Sequence, residues 1–180
     1  GVAGGTGGIG IEEATDGARE SAFGGAGDLP IGYRDVSCHV TNSAAISINN
    51  DTLTILTFNT ERYDTDEMHS TSSNTGRITV VTSGKYLIFV HLIWNNNSTG
   101  YRGIDIRVNG STLVGGVTVA AFAATIGQFV ATHYNAVVGD YFEVRVYQNS
   151  TGALDILQSS NESPEFGVIR LPVCPSRSRT

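Results

Sequence analysis

The run "NTGRITVVTSGKYLIFVHLIW", Asn74 to Trp94, reads as a strand, a Gly-marked turn and a second, longer strand in which nearly every residue is bulky. A strand with one wet face alternates apolar and polar side chains. Here Tyr86, Ile88, Val90, Leu92 and Trp94 form one bulky face, yet Leu87, Phe89 and Ile93 crowd the other, broken only by Lys85 and His91. Both faces therefore need cover. In a two-sheet sandwich the opposing sheet covers one; the candidates to cover Leu87, Phe89, His91 and Ile93 are a second subunit, the Gly-rich arm or a loop, and a subunit is the favoured one.

The neighbouring runs fit an all-β chain. In Gly103–Gly110, Ile104, Ile106 and Val108 share one face and Asp105 and Arg107 the other. In Tyr141–Gln148, Phe142, Val144 and Val146 stand opposite Glu143 and Arg145. Further β-rich runs lie at Thr52–Phe58, Gln128–Val138, Leu154–Gln158 and Glu165–Pro172, separated by Asn, Gly, Ser and Asp. Short runs at this spacing, without helical periodicity, predict an antiparallel sandwich or barrel.

The first 36 residues differ. "GVAGGTGGIG" and "AFGGAGDLPIG" are Gly-rich, and glycine's backbone freedom disfavours a packed element, so residues 1–36 read as an extended arm or linker. The 180 residues carry 16% charged side chains and a formal charge of −6 with no basic cluster, which argues against nucleic acid as a partner. No apolar run approaches the roughly 20 residues of a spanning helix, so membrane insertion is not expected.

Little in the sequence points to catalysis. No two of His39, His69, His91 and His133 stand at a metal-ligand spacing, no serine occupies a nucleophile elbow, and no cofactor motif is present. Asp64, Asp66 and Glu67 offer the oxygen atoms that Ca²⁺ prefers, but without the EF-hand spacing; the plainer reading is a solvated acidic loop. The polar stretch Trp94, Asn95, Asn96, Asn97 to Tyr101 and Arg102 sets aromatic groups beside amides, a combination suited to sugar recognition, although an ordinary hairpin loop has the same composition.

The order of several motifs carries a resemblance. Phe58, then Tyr63–Asp64, then "GRITVVTSGKYLIF", then "VGDYFEVRV" and finally "EFGVIRL" resembles the trimeric jelly-roll heads of the C1q and tumour necrosis factor (TNF) superfamily. Its strongest elements are the G-x-Y of Gly84–Tyr86 and the G-D of Gly139–Asp140. Ile78 and Val81 stand where vertebrate members usually have an aromatic residue and a proline, which makes the chain more similar to the divergent heads of bacteriophage and bacterial surface proteins.

The resemblance implies an antiparallel two-sheet jelly roll over residues 37–173, with 174–180 a tail, and a homotrimer. It implies a non-enzymatic virion surface protein, a capsid decoration or stabilising protein that meets its neighbours through residues 1–36. The alternatives are a phage-fibre head that binds a host-surface glycan or protein, and an extracellular ligand of the complement or cytokine type. In such a jelly roll the first and last strands lie antiparallel side by side, which implies that Cys38 and Cys174 come close enough for a disulfide.

Overall fold

The computed structural model of the chain describes residues 34–172, and among them there is no helix. Twelve strands follow in order: β1 Ser37–Thr41, β2 Ile46–Ile48, β3 Thr54–Ile55, β4 Thr60–Asp64, β5 Arg77–Thr79, β6 Gly84–Trp94, β7 Tyr101–Val108, β8 Thr112–Ala120, β9 Ile126–Ala136, β10 Tyr141–Gln148, β11 Leu154–Ile156 and β12 Glu165–Arg170. They form two antiparallel sheets arranged as a jelly roll. One has seven strands, with the path β2-β11-β6-β12-β1-β4 and β9 on the far side of β6; the other has five, with the path β3-β10-β7-β8 and β5 also on β10.

The core lies between the sheets. Tyr86, Ile88, Val90, Leu92 and Trp94 of β6 point inward with Val36, Cys38, Val40, Phe166 and Val168, and meet Ile104, Ile106, Val108, Phe142, Val144 and Val146 from the five-stranded sheet. Each large apolar side chain so enclosed stabilises the fold by roughly 1.5–3 kcal/mol. Val36, which the composition placed in the arm, is thus part of the head.

Two motifs have a local physical basis. Gly139 adopts φ +92, which only glycine takes easily, and the adjacent Asp140 carboxylate accepts hydrogen bonds from the Asn109 amide at 2.8 Å and the Val137 N–H at 2.9 Å. Those bonds, the Asn109 bond foremost, hold the Asp140 carboxyl below its usual range. In the G-x-Y motif, the Arg170 side chain crosses Gly84, and Tyr86 donates its hydroxyl to the Thr82 carbonyl at 2.5 Å.

Several boundaries depart from the sequence reading. The run Thr52–Phe58 yields only the two residues of β3: Leu56 N–H still bonds the Val144 carbonyl of β10, but Phe58 N–H turns to the Thr75 carbonyl and the ladder ends. β8 carries no strand signal in its sequence, since Gly115 and Gly116 interrupt it. β4 is polar throughout and forms an edge. Its pairing with β1 slips between His39 and Val40, a β-bulge. Glu143, expected on a wet face, is 6% exposed because Arg77 covers it with an ion pair at 2.9 Å.

Candidate functional site

The register of the seven-stranded sheet assembles its outer face row by row. One row runs across five strands as Tyr63, His39, Gly167, Phe89 and Ala131. The row beside it is Thr41, Glu165, His91 and Phe129, and the row on the other side is Ser37, Ile169, Leu87 and His133. Of the four residues that the sequence assigned to a subunit interface, Leu87, Phe89 and His91 fall in the three rows and Ile93 lies opposite Gly127, just beyond.

Gly167 organises the centre. A Cβ there would stand 2.4 Å from the Phe89 ring, so the ring lies directly over the glycine backbone. Its edge meets His39 at 5.3 Å between centroids, and His39 in turn meets Tyr63 at 5.5 Å, both in T-shaped contact. His91 meets Phe129 edge-on at 6.4 Å. The lateral contacts leave Leu87, Phe89, His91 and Ile93 half-buried within a single chain. Phe129 remains 63% exposed and Tyr63 41% exposed. Within the same face, Glu165 pairs with Arg62 at 2.5 Å and lies 3.7 Å from His39.

The outer face of the other sheet carries more ion pairs. Asp105 accepts from Arg145 at 2.7 Å and Arg107 at 3.1 Å, while Arg77 pairs with Glu143 and lies 4.0 Å over the Tyr141 ring. That face also exposes Ile55, Tyr101 and Leu113 between its ion pairs, while the Phe89 face carries one ion pair, Arg62–Glu165, among its aromatic rings.

No protein-family model matches the sequence, and no curated protein matches it. Solved structures do match. The Eiger TNF protein of S. frugiperda shares 13% identity over 82% of this chain and 99% of its own, with a TM-score of 0.58. Murine APRIL at pH 8.0 shares 13% identity over 77% of this chain and 100% of its own, with a TM-score of 0.59, and its pH 5.0 structure gives 14% and 0.58. The chain has a TNF-like jelly-roll fold. At such identities the likeness is one of fold alone.

The TNF-like head positions the other predicted residues as follows. In the polar loop, Asn95, Asn96 and Tyr101 are exposed and Asn97 is half-buried, but Trp94 and Arg102 are not at the surface. Trp94 donates its indole N–H to Gln128 at 2.6 Å, and Gln128 donates to the Arg102 carbonyl at 3.2 Å. The buried Arg102 guanidinium donates to the carbonyls of Asn97, Thr99 and Tyr101 at 3.0–3.1 Å. Burial pulls its pKa down, and among the described residues no carboxylate pairs with it. Trp94 and Arg102 are therefore corrected from ligand contacts to loop supports.

The acidic cluster does not converge on a cation. The Asp64 carboxylate accepts the backbone N–H groups of Asp66 and His69, Asp66 is buried and Glu67 is exposed at a positive-φ position. Among the described residues no group of three or more His, Cys, Asp or Glu is placed to hold a metal ion. Cys38 is buried, and as a thiol it is pushed well up in pKa by burial and by the Asp64 and Glu61 carboxylates. The implied strand pairing is present, with Cys38 opposite Val168. Cys174 lies outside the described residues, and so does the disulfide.

The sequence missed His39, Tyr63 and Phe129 as members of the aromatic face. The alternation Gly127, Phe129, Ala131, His133 marks one face of β9, but only the register sets it beside β6. His39 gives this face a pH dependence. Burial lowers its pKa, the Glu165 carboxylate opposes and the Arg62 guanidinium adds to the lowering. Below the usual imidazole value of about 6.5 the unfolded chain binds the proton more readily, so stability rises with pH through that window and falls on acidification. The urea midpoint of the wild type is expected to drop more between pH 7.5 and 5.5 than that of His39→Gln; equal drops would contradict this account.

Proposed function

We propose that this chain is a non-enzymatic homotrimeric head whose subunits meet through the Phe89 face, and that it serves as a virion surface protein anchored by residues 1–36. The observation that carries the trimer is the cross-strand row itself: exposed Phe129 and Tyr63 stand beside the half-buried Leu87, Phe89, His91 and Ile93, with the Arg62–Glu165 ion pair among them. Contiguous apolar surface rimmed by polar groups marks an interaction site, and closed symmetry is how identical copies satisfy it. The TNF-like fold and the resemblance of the sequence to trimeric heads support the same reading.

Sedimentation at micromolar concentration tests the assembly: a trimer is expected, and a stable monomer would overturn it. The anchoring has its own test. Deleting residues 1–32 is expected to leave the head folded and trimeric while abolishing its attachment to the parent particle; unchanged attachment would refute that role.

A second reading, a receptor-binding head on a fibre, draws support from the rigid loop that presents Asn95, Asn96 and Tyr101. It differs from the first in what the exposed surfaces touch.

A further inference from the structure

Two cross-strand rows on the outer face of the five-stranded sheet each contain a glycine. Tyr147, Gly103 and Thr118 form one, and Arg145, Asp105 and Gly116 the next. Where side chains would otherwise stand, the sheet's backbone is bare, and an open groove of about 330 Å³ results, floored by Gly103 and walled by Leu53, Tyr101, Tyr147, Thr118, Asp105 and Arg145. A second depression of about 490 Å³ continues from Asp105 and Thr118 over Gly115 and Gly116.

The walls are held in place before any ligand arrives. Tyr101 and Tyr147 stack with ring centroids 5.3 Å apart and planes at 26°. Tyr147 donates its hydroxyl to the Asp51 carboxylate, which orients the ring. Asp105 is pinned by two guanidinium groups through Oδ2. A site built on strands with its polar groups already oriented loses little conformational freedom on binding.

From this arrangement we infer that the groove binds a neutral pyranose sugar, as the terminal or penultimate residue of a glycan. A pyranose has an apolar C–H face suited to an aromatic wall, and adjacent hydroxyls that both donate and accept. The groove supplies an acceptor in the Asp105 carboxylate, a hydroxyl that both donates and accepts in Thr118, and the Arg145 N–H groups other than the one held by Asp105, on a guanidinium whose charge that carboxylate already balances. An anionic ligand would meet the Asp105 carboxylate, and the two guanidinium groups that could offset it are already engaged with that carboxylate. The inference gives the second reading a ligand class, and it is independent of subunit assembly because the groove lies on the opposite sheet from the Phe89 face.

Gly103 makes the test specific. A Cβ there meets Thr118 Oγ1 at 3.5 Å and Tyr147 at 3.9 Å, ordinary contact distances, so Gly103→Ala folds while raising the groove floor. The full chain, labelled with ¹⁵N, is titrated with the methyl glycosides of galactose, glucose, mannose, N-acetylglucosamine and fucose at millimolar concentrations. At least one is expected to shift the amides of Gly103, Thr118 and Tyr147. Its affinity is expected to fall about tenfold in Gly103→Ala and in Tyr101→Ala, and to stay unchanged in Asn135→Ala, an exposed position of β9 on the other sheet. The inference is overturned if no sugar moves those amides, if both groove variants bind as the wild type does, or if Asn135→Ala weakens binding as much as they do.

Discussion

Replacing Arg102 with Met is expected to lower the stability of the head by roughly 2–3 kcal/mol, a large effect for a single substitution. Met matches the aliphatic stem but donates nothing, so the carbonyls of Asn97, Thr99 and Tyr101 lose the guanidinium that gathers them. Each carbonyl left inside without a donor costs about 1–3 kcal/mol, less whatever water recovers by entering the loop. The damage reaches further, because Gln128 bonds the Arg102 carbonyl with one end and the Trp94 indole with the other. Urea unfolding monitored by the fluorescence of Trp94, the single tryptophan, reads both the stability and the local rearrangement. A loss under about 1 kcal/mol would mean that the loop holds its shape without the guanidinium.

Phe89→Asp is expected to convert the proposed trimer into a folded monomer. The side chain sits in the middle of the aromatic row, over Gly167 and against His39, and a carboxylate there would be enclosed at the subunit contact without a partner. An enclosed, unpaired charge costs several kcal/mol per subunit, more than enough to shift a micromolar equilibrium. Phe129→Asp provides the independent check. Its ring is 63% exposed in the single chain, so the substitution leaves the fold intact and acts on association alone. Light scattering should report monomer for both variants, with a far-ultraviolet spectrum like that of the wild type. A Phe129→Asp protein that remains trimeric would exclude this face as the contact.

What could be read from the sequence was decided by periodicity, and what could not depended on register. The double-sided apolar content of β6 and the clean alternation of β7 and β10 announce a sandwich without any structure in hand. Arg102 shows how the same signal can be overruled by chemistry. It stands two residues before Ile104, in phase with Ile106 and Val108, and so on the buried face; its charge argued for the surface, yet phase prevailed because three carbonyls were available to satisfy it. Trp94 follows the phase of Tyr86 in the same way. The groove was illegible for a different reason. Gly103, Asp105, Thr118 and Tyr147 come from three strands, and nothing local in any of them tells which residues stand side by side. The aromatic row from Tyr63 to Ala131 joins five strands and was hidden likewise.

The bulge between His39 and Val40 has a consequence for how the protein behaves when crowded. An edge strand with open N–H and C=O groups is a template on which another chain can add a strand, and repeated addition leads to fibrils. On β4 that template is spoiled twice: the bulge breaks the even spacing of the ladder, and Glu61 and Arg62 place opposite charges where an added strand would have to lie flat. At the other side of the sheet, β9 is tied to β8 of the second sheet by the hydrogen bond from Thr132 to the Val114 carbonyl at 2.9 Å. Copies of this chain held at high local density are therefore expected to resist strand exchange between neighbours.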